Sequence, residues 1–158
     1  MQPDTKSKAK NILGEARTNF KPGITKIPAY HFSKKGKKVT TILGLPPSLT
    51  LRIQTGFTRG QGQRFKSKSA YGKGTTKEDI KTGKTSLGYH EGSHGSDFIK
   101  YLKDNPPPQF KGKVGMSVAS YKKAAKTYDK ELKKYLKKIE QDSVAKTDCV
   151  GTKADFCK

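Results

Sequence analysis

Two of the chain's three histidines, His90 and His94, stand four residues apart, and Glu91 follows the first directly. On a helix, positions i and i+4 share one face a turn apart. The two imidazoles can then each aim a ring nitrogen at one metal ion, at about 2.0–2.1 Å. Glu91 points to the side of such an ion. There its carboxylate can take a proton from a metal-bound water and later return it to a leaving amine. Zinc lowers the pKa of that water to about 7, so the triad points to zinc-assisted hydrolysis at neutral pH. The competing reading is an ordinary polar helix face with satisfied histidines. Gly92 and Gly95 weigh against it, because each costs a helix about 1 kcal/mol. Small residues there would admit a neighbouring strand or a substrate backbone.

The elements that must position this triad are legible around it. Ser86 is a plausible N-cap, and a helix is expected from there to about Asp104, where "DNPPPQF" stops it. Leu87, Phe98, Ile99 and Leu102 flank the triad on that helix. Upstream, "IPAYHFS" (27–33), "KKVTTILGL" (37–45) and "SLTLRIQTGF" (48–57) are rich in β-branched and aromatic residues. In the last of these Leu49, Leu51 and Ile53 alternate with Thr50, Arg52 and Gln54, the mark of a half-buried strand. A small antiparallel sheet with one wet face is expected, joined by the turns "KKGKK" and "GLPPS". Residues 59–84 are rich in Gly, Ser and Lys; they read first as a solvated loop and second as a basic flap beside the site. A long second helix is expected from about Ser117 to Ser143. Val118, Tyr121, Ala125, Tyr128, Leu132, Tyr135 and Ile139 form its apolar stripe, and lysines cover the opposite face. The fold class is therefore α+β. Residues 1–25 read as a flexible basic lead-in with a weak helical pattern over Asn11–Arg17, and 26–158 as one domain.

The composition bounds the partners. With 34 Lys plus Arg against 13 Asp plus Glu, the formal charge is +21. Such a chain attracts polyanions in a salt-dependent way, whether nucleic acid, an anionic membrane surface or an anionic cell-wall polymer. Cys149 and Cys157 can close the short loop "CVGTKADFC", which would suit an oxidising compartment, or stay as free thiols in the cytosol; both readings stand. Neither their number nor their spacing suits a zinc knuckle. No apolar run approaches the roughly 20 residues of a membrane span. The start, "MQPDTKSKAKN", lacks an apolar run, so no signal peptide is expected. A secreted or periplasmic enzyme would then be a matured chain or leave by a route without such a signal, and a cytoplasmic location stays open.

"HEGSH" resembles the HExxH motif of zincin metallopeptidases, in which a sheet lies above an active-site helix and a second helix packs below. The order of strands, HExxH helix and second helix is similar over roughly 27–158. The resemblance implies a minimal zincin-like domain, with His90 and His94 as zinc ligands and Glu91 as the general base. The chain lacks the third histidine and glycine turn of the metzincins, since "GSDF" follows His94. It lacks the acidic motif of thermolysin-like enzymes at the usual distance, although "IEQDS" (139–143) echoes it. "GTKAD" (151–155) resembles the Gly-Thr-x-Asp of the aspzincins, much farther from the helix.

Catalytic zinc needs three protein ligands and an open position, so one donor must come from elsewhere. Asp148 is the first choice and Asp155 the second, because a Cys149–Cys157 bridge would hold this tail against the domain. Glu140 is the third, on the second helix, where thermolysin-like enzymes carry their ligand. Asp97, two turns from His90, reaches poorly and is expected to orient a histidine instead. His31 is expected to be a surface histidine on a strand. By family analogy Tyr121 or Tyr128 could serve the developing oxyanion, and the strand 48–57 could pair with an extended substrate.

The function expected is that of a zinc-dependent peptidase or amide hydrolase with Zn2+ as cofactor. Its substrate would be a peptide or a peptidoglycan-like, anionic target, in a secreted or injected bacterial toxin role. The alternative is a basic nucleic-acid-binding domain with a non-catalytic metal site. Lysines outnumber arginines and no RNA-binding or zinc-finger motif is present, which weighs against it. A metal-binding scaffold without catalysis is a third reading, opposed by the intact Glu91.

Overall fold

The computed structural model describes residues 16–57, 68–151 and 157. The order is β1 (Ala16–Ile24), β2 (Ala29–Phe32), β3 (Val39–Leu43), β4 (Leu49–Phe57), α1 (Lys77–Lys81), α2 (Leu87–Asp104), α3 (Val118–Ser143) and a π-helical turn, Val144–Asp148. The protein is α+β, with two small antiparallel sheets in place of the single sheet expected from sequence. β2 pairs with β3, and β4 pairs with β1. β1 lies inside the segment read as lead-in. The helical pattern over Asn11–Arg17 falls mostly outside the described residues, and its last two positions belong to β1. In "ARTNFKPGI" Ala16, Thr18, Phe20, Pro22 and Ile24 alternate with Arg17, Asn19, Lys21 and Gly23, but Pro22, Gly23 and Asn19 are residues that strands disfavour, and they mask the pattern.

The chain divides into two compact units. The first takes Leu51–Asn105, the C-terminal segment from Ile139 on, and the strand residues up to Lys21. In it, β1 and β4 face α2. Phe20 meets Phe98 edge to face, ring centroids 5.0 Å apart. The Thr18 hydroxyl donates to the Glu91 carbonyl over 2.9 Å, and it also pairs with Thr55 over 2.8 Å. α2 starts where expected, with Ser86 accepting from the Tyr89 N–H.

The second unit takes Pro22–Thr50 and Pro106–Lys138. The β2–β3 hairpin runs from Ala29↔Leu43 to Phe32↔Val39, with an irregularity after His31. Val39 is buried and exchanges backbone hydrogen bonds with Gly115 and Met116 just before α3. Tyr121 packs against Tyr30 and Phe110, and its hydroxyl donates to the Pro28 carbonyl over 2.9 Å. Along α3 the stripe holds: Tyr121, Tyr128, Leu132 and Ile139 are buried, while Lys122, Lys126, Lys130, Lys134 and Lys138 are exposed. No helix among the described residues is long and apolar enough to cross a membrane.

Candidate metal centre

The 3.6-residue period of α2 brings His90 and His94 together, with ring centroids 5.1 Å apart. Both are buried, as are Glu91, Asp97 and Phe98 on the same helix. The third donor is Asp148, the last residue of the π turn. Its Oδ1 lies 3.1 Å from His90 Nε2 and 3.0 Å from His94 Nε2. One ligand atom from each residue falls within 4.8 Å of the others, a group that could hold a metal ion. Four donors placed about 2.0–2.1 Å from zinc in a tetrahedron stand about 3.3 Å from one another. The observed nitrogen–oxygen separations are close to that spacing.

The remaining nitrogens are tied so that both Nε2 atoms face this point. His90 Nδ1 donates to the Lys73 carbonyl over 2.9 Å, with Ser69 Oγ at 3.3 Å. A carbonyl can only accept, so in a neutral ring the Nε2 lone pair is left for an ion. His94 Nδ1 lies 2.7 Å from Ser143 Oγ, a hydroxyl able to accept from it in the same arrangement. Without an ion, the Asp148 carboxylate can satisfy the two rings only when they carry protons. The charges respond accordingly. Burial works against an ionised Asp148, but hydrogen bonds from His90 and His94 outweigh it and hold its pKa at about 2. Burial likewise works against a charged His90, yet Asp148, the Lys73 carbonyl and the charge of Glu91 raise its pKa above the ordinary value.

Asp148 is held in turn by a network that the sequence did not show. Thr147, fully buried, donates its hydroxyl to Asp97 Oδ2 over 2.7 Å, and its carbonyl accepts from the Lys73 N–H over 2.8 Å. Asp97 therefore orients the residue next to Asp148, not a histidine. Lys73 Nζ lies 3.9 Å from the other oxygen of Asp97. The segment 68–76 is thus built into the site and is not a solvated loop, whereas 59–67 lie outside the described residues. Tyr71 sets its ring against His90 at 5.2 Å. Gly72 has φ +61°, and a side chain there would collide with the Thr147 and Asp148 backbone. Asp79 closes the loop by accepting from Gly74 N over 2.8 Å and from Thr76 Oγ1. The Cys149–Cys157 disulfide is formed, with Cα atoms 5.4 Å apart.

Glu91 is buried, and its Oε2 has no hydrogen-bond partner among the described residues. A buried carboxylate oxygen without a donor is costly. The two imidazoles and the Asp148 carboxylate form a donor set that could hold a metal ion.

The other candidates separate cleanly. Glu140 is exposed on α3 and His31 is exposed on β2 opposite Thr41, so neither joins the group. Asp155 lies outside the described residues. Tyr121 spends its hydroxyl on Pro28, and Tyr128 is buried in the second unit against Phe110. Gly92 is exposed with nothing near a built Cβ, and Gly95 meets Ile53 and Thr18 only at ordinary distances of 3.7 and 4.0 Å. Close packing therefore does not demand either glycine. Ser143, Thr147 and the Lys73 carbonyl were missed because a hydroxyl or a backbone carbonyl carries no motif. Comparison of the chain with protein-family models, with curated proteins and with solved structures gives no match.

Proposed function

We propose that this protein is a zinc-dependent peptidase or amide hydrolase of the HExxH type, similar in its site to the zincins. The observation that carries the reading is the approach of Asp148 Oδ1 to both imidazole nitrogens, on a helix where Glu91 Oε2 has no hydrogen-bond partner among the described residues. His90, His94 and Asp148 would hold the ion. When bound, zinc would act as a Lewis acid toward an amide carbonyl and would bring the pKa of a water down to about 7. Glu91 takes the proton from the attacking water and hands it to the departing amine. The Lys73 carbonyl keeps His90 in the tautomer that leaves Nε2 free, and the Ser143 hydroxyl can accept from His94 Nδ1 to the same effect.

The disulfide supports a secreted or periplasmic setting. The charge of +21 supports an anionic target such as cell-wall peptide.

Metal analysis of purified wild type beside His94→Ala tests the site, with one zinc per chain expected in the first and lost in the second. Amine release from a peptide library and from purified peptidoglycan tests the chemistry. It should vanish in Glu91→Gln while zinc stays bound. A salt-dependent shift of a DNA probe, with no hydrolysis of either substrate by the zinc-loaded chain, would favour the basic nucleic-acid-binding domain instead.

A further inference from the structure

The third donor of the site is covalently next to a disulfide. Asp148 closes the π turn, and Cys149, the following residue, is bonded to Cys157. The carboxylate is therefore anchored on both sides. Before it, Thr147 is pinned by Asp97 Oδ2 at 2.7 Å and by the Lys73 N–H at 2.8 Å. After it, the Cys149 N–H reaches back to the Val144 carbonyl over 3.0 Å, and its sulfur is tied to Cys157. His90 and His94 need no such help, because one helix carries both. Asp148 is the donor whose position depends on the anchors of a short turn.

We propose that the Cys149–Cys157 disulfide governs metal affinity at the His90–His94–Asp148 site, so that the site is tight when oxidised and is weakened by a dithiol reductant. This inference rests on the metal reading above and adds its regulation. In the step, a thiolate of the dithiol attacks one sulfur, the S–S bond breaks, and a mixed disulfide forms. The second thiolate of the same molecule then displaces the protein sulfur. Two electrons pass from the dithiol, which ends as a disulfide. Its two protons end on Cys149 and Cys157 as thiols. Reduction leaves the Thr147 anchors and the Cys149 N–H bond to Val144 in place and removes the covalent tie that follows Asp148. The carboxylate then samples orientations away from the two Nε2 atoms, and ordering it again opposes binding. Losing an outer support of a metal ligand typically weakens binding by about 10- to 100-fold.

The test is zinc affinity by competition with a chromophoric chelator on three samples. These are oxidised wild type, wild type reduced with dithiothreitol and freed of it anaerobically, and Cys149→Ser/Cys157→Ser. Helix content by circular dichroism accompanies each sample. The expected result is affinity at least about 10-fold weaker in both the reduced chain and the double variant, with helix content unchanged. The double variant has no thiols, so it separates loss of the staple from capture of zinc by new cysteine ligands. Equal affinity in oxidised and thiol-free chains would overturn the coupling while leaving the metal site standing. Collapse of helix content on reduction would also overturn it, by making the disulfide a staple of the whole fold. No zinc binding by the oxidised chain would instead remove the metal reading itself.

Discussion

Thr147 donates its hydroxyl to Asp97 over 2.7 Å, across 50 residues of sequence, and so fixes the peptide that carries the Asp148 carboxylate. Asp97 sits on α2 three residues beyond His94, so the helix that supplies two donors also sets the place of the third. Thr147→Val keeps the shape and removes the donor, leaving a buried carboxylate oxygen short of a partner. A loss of about 1–3 kcal/mol in urea unfolding is expected. Zinc binding should weaken alongside it. If stability falls and zinc affinity does not, the π turn holds Asp148 without this latch.

Glu91 is expected to show a conflict between stability and activity. Its buried Oε2 lacks a donor among the described residues. Glu91→Gln removes the charge at nearly constant volume, so the metal-free variant should unfold at higher denaturant than wild type. The same change should lower the hydrolysis rate by about 10²–10⁴-fold. Zinc stoichiometry should stay at the wild-type value, because Glu91 is not one of the three donors. Loss of zinc in this variant would make Glu91 a ligand and remove the base from the scheme.

The parts of this architecture written in side-chain periodicity are readable in the sequence alone. The first helix emerged with the expected Ser86 cap and the second with the expected stripe, because both the cap and the Tyr121–Ile139 spacing follow directly from helix geometry. His90 and His94 were paired by the same rule, and Asp148 was reached by asking which acid a short bridge could hold still. β1 was hidden because Asn19, Pro22 and Gly23, which strands disfavour, break up the apolar character of an otherwise alternating segment. The pairing of β4 with β1 was hidden because nearest-neighbour hairpins are the default, and sequence does not record a long-range partner. The support behind the site was hidden for another reason: Lys73 acts through its backbone, and Ser143 and Thr147 through single hydroxyls.

Two glycines close to the site should respond in opposite directions to the same substitution. Gly92 lies between Glu91 and Ser93 on an exposed helix position with open space around a built Cβ. Gly92→Ala should therefore raise stability by up to about 1 kcal/mol and leave zinc affinity unchanged. Gly72 has φ +61°, and a Cβ there would drive into the Thr147 carbonyl. Gly72→Ala should destabilise the chain and push the π turn away from α2, which would show as weaker zinc binding. Thermal unfolding and chelator competition on the pair read both effects. A Gly72→Ala chain with wild-type zinc affinity would mean that the loop 71–73 is not needed to seat Asp148.

The charges of the site should make metal-free and zinc-loaded protein respond to pH with opposite sign. In the metal-free chain burial opposes charge on His90, but its bonds to Asp148 and to the Lys73 carbonyl raise its pKa above 6.5. A folded-state pKa that is raised contributes stability in full below the unfolded-state value and loses it as pH rises through the folded value. Asp148, held at about 2, contributes above its ordinary value of 3.8 and loses that contribution as pH falls from there toward 2. The metal-free chain should therefore gain most from this cluster between the two ordinary values and weaken as pH climbs past the histidine range. Zinc requires both imidazoles neutral, so its contribution grows through that same range as protons leave. Denaturant midpoints measured with a chelator and with excess zinc should lie close together in mild acid and separate above 6.5, the ordinary value of His90. Curves that stay parallel across the range would show that zinc and the proton do not compete at His90, and the ligand assignment would fail with them.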